Sequence, residues 1–547
     1  MQAYDQLAPA GRADLQSNHR YLWVVVAGLL AVHATAAWLT RAPGIGIGQD
    51  DATYVLLSRS LAHGEYRDLS LVGAPPHRLY PPGYPALLAV WQAVAGDRFD
   101  GLVVLSIVCS TVTLALTFAL LRRLFSTSTA VICLVALAVN PYLVDSAGRV
   151  GSEAPYALFS LLALWIVMRA GAQSGVVYLG GASAISAALT RSIGITLLIA
   201  LSLYWILQRR IRWAVTLTMS CVLTVGIGLW RSGTITARGP MSYLADATFA
   251  DRGVPYSLVQ ELVYRIVHNV PAYLGLALPY LLPLPTVQGT VVDNVLGTAL
   301  ATAGLAAGIA VFARRWRPAA LYLLAYAALL TLWPWQVSRY IVPVLCLVVP
   351  AVLIGSGWLT QRFGANWESR TVLALGSVLA INGAVRTARM IQIRASCVRG
   401  ATLPSPSCVH PYQASFFAAV DYIGKYTAPD AVFVSAKAPT LFYYTGRRSI
   451  LPDATPDHDP GSFVRRLARN GVEYVLLSTL LATEPRRAEM LSADCQALSL
   501  VVGFPPSTYL FRIRSAADRS DEAACRALVD YHRATIGEDF NLRTWPP

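Results

Sequence analysis

Charge is scarce in this 547-residue chain: Asp, Glu, Lys and Arg together make up 14%, against about 25% in a soluble domain. That shortage excludes an ordinary water-soluble globule. With 55% hydrophobic residues and a mean hydropathy of +0.49, it describes a polytopic α-helical membrane protein with something attached. Acids are scarcer than bases, 30 against 44, which leaves a net charge of +14. In a soluble protein that excess would suggest nucleic acid. Here it reflects Arg-rich cytoplasmic loops, so membrane lipid and an anionic lipid substrate are the expected partners and nucleic acid is not. A nucleotide-binding loop is also missing. No GxxxxGK[ST] occurs, and Gly44–Gly48 is not followed by a Lys-Ser/Thr helix start. There is no internal repeat, no low-complexity tract and no cleavable signal pattern, since the first apolar run is too long for one and lacks a small-residue cleavage site. His33 and His268 are isolated and read as structural. Asp457-His458-Asp459 sits among Pro452, Pro456 and Pro460 and reads as a solvated turn, not a metal tripeptide. No metal is assigned and no cofactor is required. A divalent metal is compatible with the sequence but not indicated by it.

What is present is a series of apolar runs separated by arginines. The first spans 21–40, after a polar stretch carrying Arg12 and Arg20 that belongs inside. Residues 41–99 form a first outer loop with two short interfacial helices, about 50–63 and 82–95. Spans follow at 101–121, ending on Arg122-Arg123, then at 129–144 and 153–168. The run 176–207 is too long for one crossing of about 20 residues. Read as two short spans turning outside at Thr190-Arg191-Ser192, it puts Arg209-Arg210-Ile211-Arg212 inside, as the charge rule demands. After 213–230 comes a long outer loop, 231–290. Its apolar part, 271–285, contains Pro271, Pro279, Pro283 and Pro285 and reads as an interfacial or re-entrant piece lining a cavity. Spans at 291–312, 319–333, 340–354 and 371–385 bring the expected total to eleven, N-terminus in and C-terminus out. A multi-pass inner (cytoplasmic) membrane protein is expected. Its membrane domain covers 1–389 and an extracytoplasmic α/β domain covers 390–547.

That α/β expectation rests on strands at 431–435, 449–451, 474–478 and 509–513 alternating with helices at 413–426, 461–470 and 521–534. The tail holds Cys397, Cys408, Cys495 and Cys525. An even number outside the cell membrane suits two disulfides, and proximity in the chain suggests Cys397–Cys408 and Cys495–Cys525. Cys109, Cys133, Cys221 and Cys346 fall within spans and read as small apolar packers.

With this topology the polar residues at span ends gather at one face. The first outer loop brings Asp50, Asp51, Arg78 and Tyr80. The second brings Asp145, Arg149 and Glu153; Arg191 lies at the turn after the fifth span, and Arg339 and Tyr340 open a late one. Asp50 and Asp51 begin a short helix, where an acid is also a cap, so a capping role and a chemical role are both open. The mixture itself suggests a reaction. Guanidinium groups grip phosphate in a bidentate fork, and a neighbouring carboxylate can take a proton from an attacking hydroxyl. A sugar linked to a lipid phosphate needs both, since cations must steady the departing phosphate while apolar spans receive the tail. A secondary transporter for an anion, or a non-catalytic handler of lipid-linked glycans, is the rival reading. Transporters, however, keep their charges near the midplane, and here they sit at span ends.

Asp50-Asp51-Ala52-Thr53-Tyr54 resembles the Asp-(Glu/Asp)-Ala-x-Tyr motif after the first span of the glycosyltransferase C superfamily, nearest to its protein O-mannosyltransferase and lipid A aminoarabinose transferase branch. Tyr80-Pro81-Pro82-Gly83-Tyr84-Pro85 is similar to that branch's proline-rich close of the first outer loop. Ser152-Glu153-Ala154-Pro155-Tyr156 and Arg339-Tyr340-Ile341-Val342-Pro343 resemble the starts of its fourth and a late span. The resemblance covers roughly residues 20–360. It implies an inverting transfer from a polyprenyl-phosphate-linked sugar to a glycan, lipid or protein hydroxyl, on the outer side of the membrane. Asp50 is then the catalytic carboxylate, acting as base, with Asp51 its neighbour, and Arg191 and Arg339 face the donor phosphate, with Arg78 and Tyr340 as further donor contacts. Tyr80, Asp145, Arg149 and Glu153 are expected as lesser substrate contacts.

Overall fold

Backbone polar groups inside a bilayer must be satisfied within the segment, which leaves helices as the way for an open chain to cross. The computed structural model describes residues 15–48, 50–170, 174–231, 258–284, 295–334, 338–364, 366–395, 397, 403–435, 437–450, 462–480, 484–514 and 522–536. Among these, five helical stretches are long and apolar enough to cross a membrane: Arg20–Leu39, Phe99–Leu124, Val295–Arg315, Ser338–Phe363 and Trp367–Ala395. Shorter apolar helices accompany them at Gly175–Thr190, Ser192–Leu207, Ile211–Leu223 and Arg317–Leu332. The run 176–207 therefore does turn at Arg191, through the 3-10 piece Ser192–Gly194. Exposed Val, Leu and Ile side chains on these helices mark the surface that faces lipid.

One segment departs from the expected spans. The run 129–144 is not one rod. Thr127–Ala138 and Pro141–Ala147 meet at 61°. Pro141 has no N–H to continue the first helix, and the Asn140 side chain caps the second by accepting from the amides of Tyr142 and Leu143. The proline-rich piece at 271 is helical as far as it is described. Leu258–Pro271 passes through a π turn, Ala272–Ala277, into Leu278–Leu281. Asn140 Nδ2 donates to the Leu281 carbonyl at 2.9 Å, and Asn269 ties the same segment to the carbonyls closing Arg317–Leu332.

The C-terminal part carries a four-stranded sheet of β1 (Phe433–Ser435), β2 (Tyr474–Leu477), β3 (Leu498–Phe504) and β4 (Thr508–Ile513), in the order β1-β2-β4-β3. β1 and β2 are parallel; β2–β4 and β3–β4 are antiparallel. The period of two sends alternate residues to opposite faces. Val434, Val475, Leu477 and Phe511 pack with Phe463, Leu528 and Tyr531. Phe433, Leu476 and Leu510 pack with Phe416, Val420 and Leu441 on the other face. Of the expected strand at 449–451, the described part makes isolated bridges at Ser449, to Leu71 and Phe433, and Leu451 lies outside the described residues. Cys397 is bonded to Cys408 and Cys495 to Cys525, while Cys109, Cys133 and Cys346 are buried and free.

The sheet domain grips the loop 41–99. The Val72 amide donates to the Ser449 carbonyl at 3.0 Å and the Ser449 amide to the Ser70 carbonyl at 2.9 Å. Helix Ala438–Thr445 lies over the turn that leads to Asp50.

Candidate active site

Helix Asp51–Ala62 opens on Asp50, which occupies the N-cap position yet makes no side-chain cap bond. The capping reading of Asp50 therefore fails. Its carboxylate instead forms an ion pair with Arg339 and accepts the Tyr80 hydroxyl at 2.8 Å. Arg339 comes from the 3-10 turn Ser338–Tyr340, 289 residues away, which leads into the long apolar span. Asp50 is 16% exposed and Arg339 22%, so the pair is largely withdrawn from water but can be reached. The Arg339 Nε–H is buried and has no partner among the described residues, which leaves part of the fork unspent.

A second pair stands beside the first. Arg191 donates to Glu153 at 2.6 Å and to the Ser152 hydroxyl at 2.9 Å. Ser152 also lies 3.2 Å from the Tyr54 hydroxyl. The two pairs feel one another: Arg191 acts on Asp50, and Arg339 acts on Glu153. Tyr54 rests against Tyr80 and Tyr84, with ring centres 5.1 and 4.9 Å away, and so walls the acids with aromatic surface. Burial pushes the Asp50 carboxyl up. The charge and hydrogen bond of Arg339, helped by Tyr80 and Arg191, outweigh it and hold the group below the usual carboxylate range.

Asp51 faces the other way. Oδ2 accepts from the amides of Gly46 and Gly48 at 2.9 and 3.0 Å, and Oδ1 from Ala52 at 2.9 Å. It binds its own loop and meets none of the partners of Asp50. Burial pushes its carboxyl above the usual range, against the pull of Lys437 and the three amides. Asp145 is also committed elsewhere. Arg149 and Arg394 both hold it, at 2.9 and 2.7 Å, and Arg394 bonds the Thr40 carbonyl as well. Asp145 and Arg149 thus form a clasp between the bent helix and Trp367–Ala395, apart from the Asp50 pair. Arg78 lies half-buried beside His77. The Tyr340 carbonyl accepts from Tyr326 at 2.5 Å.

Sequence reasoning missed the group that holds Tyr80. His77 is buried, its Nδ1 lies 2.7 Å from Asp68 and its Nε2 accepts from the Tyr80 amide at 2.8 Å. Its ring stacks on that of Tyr80, and Tyr66 donates to the Tyr80 carbonyl at 2.8 Å. An isolated Asp and His nine residues apart carry no motif. Among the described residues, no three His, Cys, Asp or Glu side chains cluster as a metal site requires.

Fold and site together define a multi-pass helical membrane protein with guanidinium-paired acids at its span ends, under a small α/β domain. Residues 80–230 match the family model for dolichyl-phosphate-mannose-protein mannosyltransferase, while no curated protein matches the chain. The structure is similar to that of ArnT from Cupriavidus metallidurans in the apo state, with 15% identity, 91% of this chain and 98% of that chain covered, and a TM-score of 0.55. It is similar too to ArnT bound to undecaprenyl phosphate, at 16% identity, the same coverage and a TM-score of 0.54. The Archaeoglobus fulgidus oligosaccharyltransferase in the apo form gives 14% identity, 93% and 76% coverage, and a TM-score of 0.52. The fold is therefore like that of ArnT and of the oligosaccharyltransferase, and residues 80–230 resemble the mannosyltransferase family.

Proposed function

We propose that this protein transfers a sugar from a polyprenyl-phosphate-linked donor to a hydroxyl of an envelope glycan, lipid or protein, on the outer side of the inner membrane, with inversion. The observation that carries the reading is the Asp50–Arg339 pair, which joins a base and a phosphate ligand from opposite ends of the membrane domain. Arg191, beside it, adds a second cation at the same depth.

The acceptor oxygen attacks C1 of the sugar from the side opposite the phosphate. The C1–O bond to phosphate breaks and both its electrons leave with the lipid phosphate. Arg339 and Arg191 stabilise the charge that gathers there. Asp50 accepts the acceptor's proton. An acid tied to a guanidinium is a weak base, and this sets the order of events. When the donor phosphate draws on Arg339, Asp50 loses its counter-ion while still buried, and its basicity rises. The donor thereby arms the base, and without donor the carboxylate stays quiet. Tyr80 keeps the carboxylate aimed during the exchange.

Asp50→Asn in protein that reaches the membrane normally tests this. Transfer from a polyprenyl-phosphate sugar is expected to fall by ~10²–10⁴, with donor binding retained. Unimpaired transfer would remove Asp50 from the mechanism. The isoprenoid-phosphate saccharide that co-purifies with the protein identifies the donor.

A further inference from the structure

The turn before Asp50 is held one carbonyl at a time from the C-terminal domain. Tyr444 donates to the Ile45 carbonyl at 2.8 Å. Lys437 Nζ donates to Gly46 and Gly48, each at 3.1 Å. Gln413 donates to Ile47 at 3.3 Å. Four consecutive carbonyls are thus taken by three side chains of another domain, nearly 400 residues on. On the opposite edge of the same peptides, Asp51 accepts the amides of Gly46 and Gly48. The strip is clamped between an ammonium and a carboxylate.

The fit leaves no slack. Gly46 has φ +89, and a Cβ there would lie 2.3 Å from the Thr440 methyl. Lys437 is 7% exposed; burial pulls its ammonium below the usual lysine range, and Asp51 and Asp50 across the strip act against that pull. The sequence also contains only two lysines, Lys425 and Lys437, among 44 basic residues. Arginine serves almost everywhere else. A compact ammonium can point two protons at carbonyls two residues apart within a tight turn, whereas a planar fork fits poorly.

We infer that Lys437 is a positioning residue for the active site: it fixes the 45–48 strip and thereby the aim of Asp50 at Arg339. The C-terminal domain is then a working part of the site and not only a cover. The claim rests on the function proposed above, with one readout independent of it. Misplacement of a reacting group by about 1 Å costs on the order of 10² in rate.

In full-length, membrane-embedded protein, Lys437→Met is expected to lower kcat ~10–100-fold while the donor KM changes by less than about threefold. Lys437→Arg should recover part of the loss. In an Asp51→Asn background, where the strip is already loose, Lys437→Met should cost much less than alone. Amide hydrogen exchange of a peptide covering 45–52 should quicken in Lys437→Met, with peptides from β2 and β4 unchanged. A kcat within twofold of the parent overturns the inference. So does a collapse of protection across the whole C-terminal domain, which would make Lys437 a folding residue. If the parent transfers no sugar at all, the proposed function fails and the exchange pattern alone decides the positioning.

Discussion

Asp50 carries two opposed influences, and their balance predicts a pH profile. Burial raises the carboxyl, while Arg339, Tyr80 and Arg191 lower it by more. The acid limb of kcat/KM reports the free enzyme and is expected below the ordinary carboxylate range. Donor bound at Arg339 removes the largest stabiliser, so the acid limb of kcat should lie higher. Tyr80→Phe removes one bond to the charged form. It should move the kcat/KM limb upward and lower its plateau about 5-fold, and an unmoved limb would count against Tyr80 as a support of Asp50. The stability linked to Asp50 has the sign of a depressed acid. It is complete above the unfolded carboxylate value and is lost as pH falls through the lower folded one. That Asp50, Arg191 and Arg339 come near one another was legible, because Asp50 and Arg339 open short motifs at span ends and Arg191 marks the turn between two short spans. The orientation of the acid pair was not. Two adjacent aspartates look alike in a sequence, and only the curl of the 46–48 strip sends Asp51 to the amides and Asp50 to Arg339. His77 and Lys437 carried no signal, since each acts through a carbonyl or an amide that every residue possesses.

Elements position the site through close packing. Arg339 and Tyr340 stand just before helix Leu345–Thr360, which presses on Val295–Arg315 through small residues. A Cβ at Gly355 would lie 2.0 Å from the Gly304 carbonyl and 2.3 Å from the Gly308 amide. A Cβ at Gly308 would lie 2.0 Å from the Ala351 carbonyl. Backbones this close exclude any side chain, and the neighbour is backbone, which cannot swing aside. Gly355→Leu should therefore push the helices apart, destabilise the protein by about 1–3 kcal/mol and draw Arg339 away from Asp50. A lower melting temperature in detergent, together with reduced turnover, is the expected pair of results. An unchanged melt would show the contact to be dispensable. Helices were readable where apolar length and arginine endings agreed. The break at Asn140-Pro141 was hidden inside a run apolar enough for one span, and its cause is two residues that only local capping explains. β3 escaped notice because its pattern is mixed, with one bulge between Leu500 and Val502, while the stretch at 449 looked like a strand but bridges only at Ser449.

At the scale of the molecule, chemistry and charge lie at opposite ends of one span. Helix Phe99–Leu124 has 26 residues, about 39 Å of rise. Asp100 at its start bonds Arg41 at 2.8 Å, close to the Thr40 and Asp145 clasp. At its end, the Leu124 carbonyl accepts from Arg315 at 3.4 Å, so Arg122, Arg123, Arg314 and Arg315 gather there. The positive-inside rule predicts a cytoplasmic place for that basic end. The orientation proposed above then turns the site and the sheet domain outward, where Cys397–Cys408 and Cys495–Cys525 would persist in an oxidising compartment. The proposed orientation rests on this pairing of ends, which no single motif encodes, and it yields a direct experiment. In intact cells, a membrane-impermeant maleimide should label none of the eight cysteines before reduction. After a mild impermeant reductant it should label the four in the C-terminal domain and leave Cys109, Cys133 and Cys346 untouched inside their helices. Labelling of the C-terminal thiols only after permeabilisation, without reductant, would invert the molecule. It would also put Asp50 on the side where the basic loops now stand, away from an outward-facing acceptor.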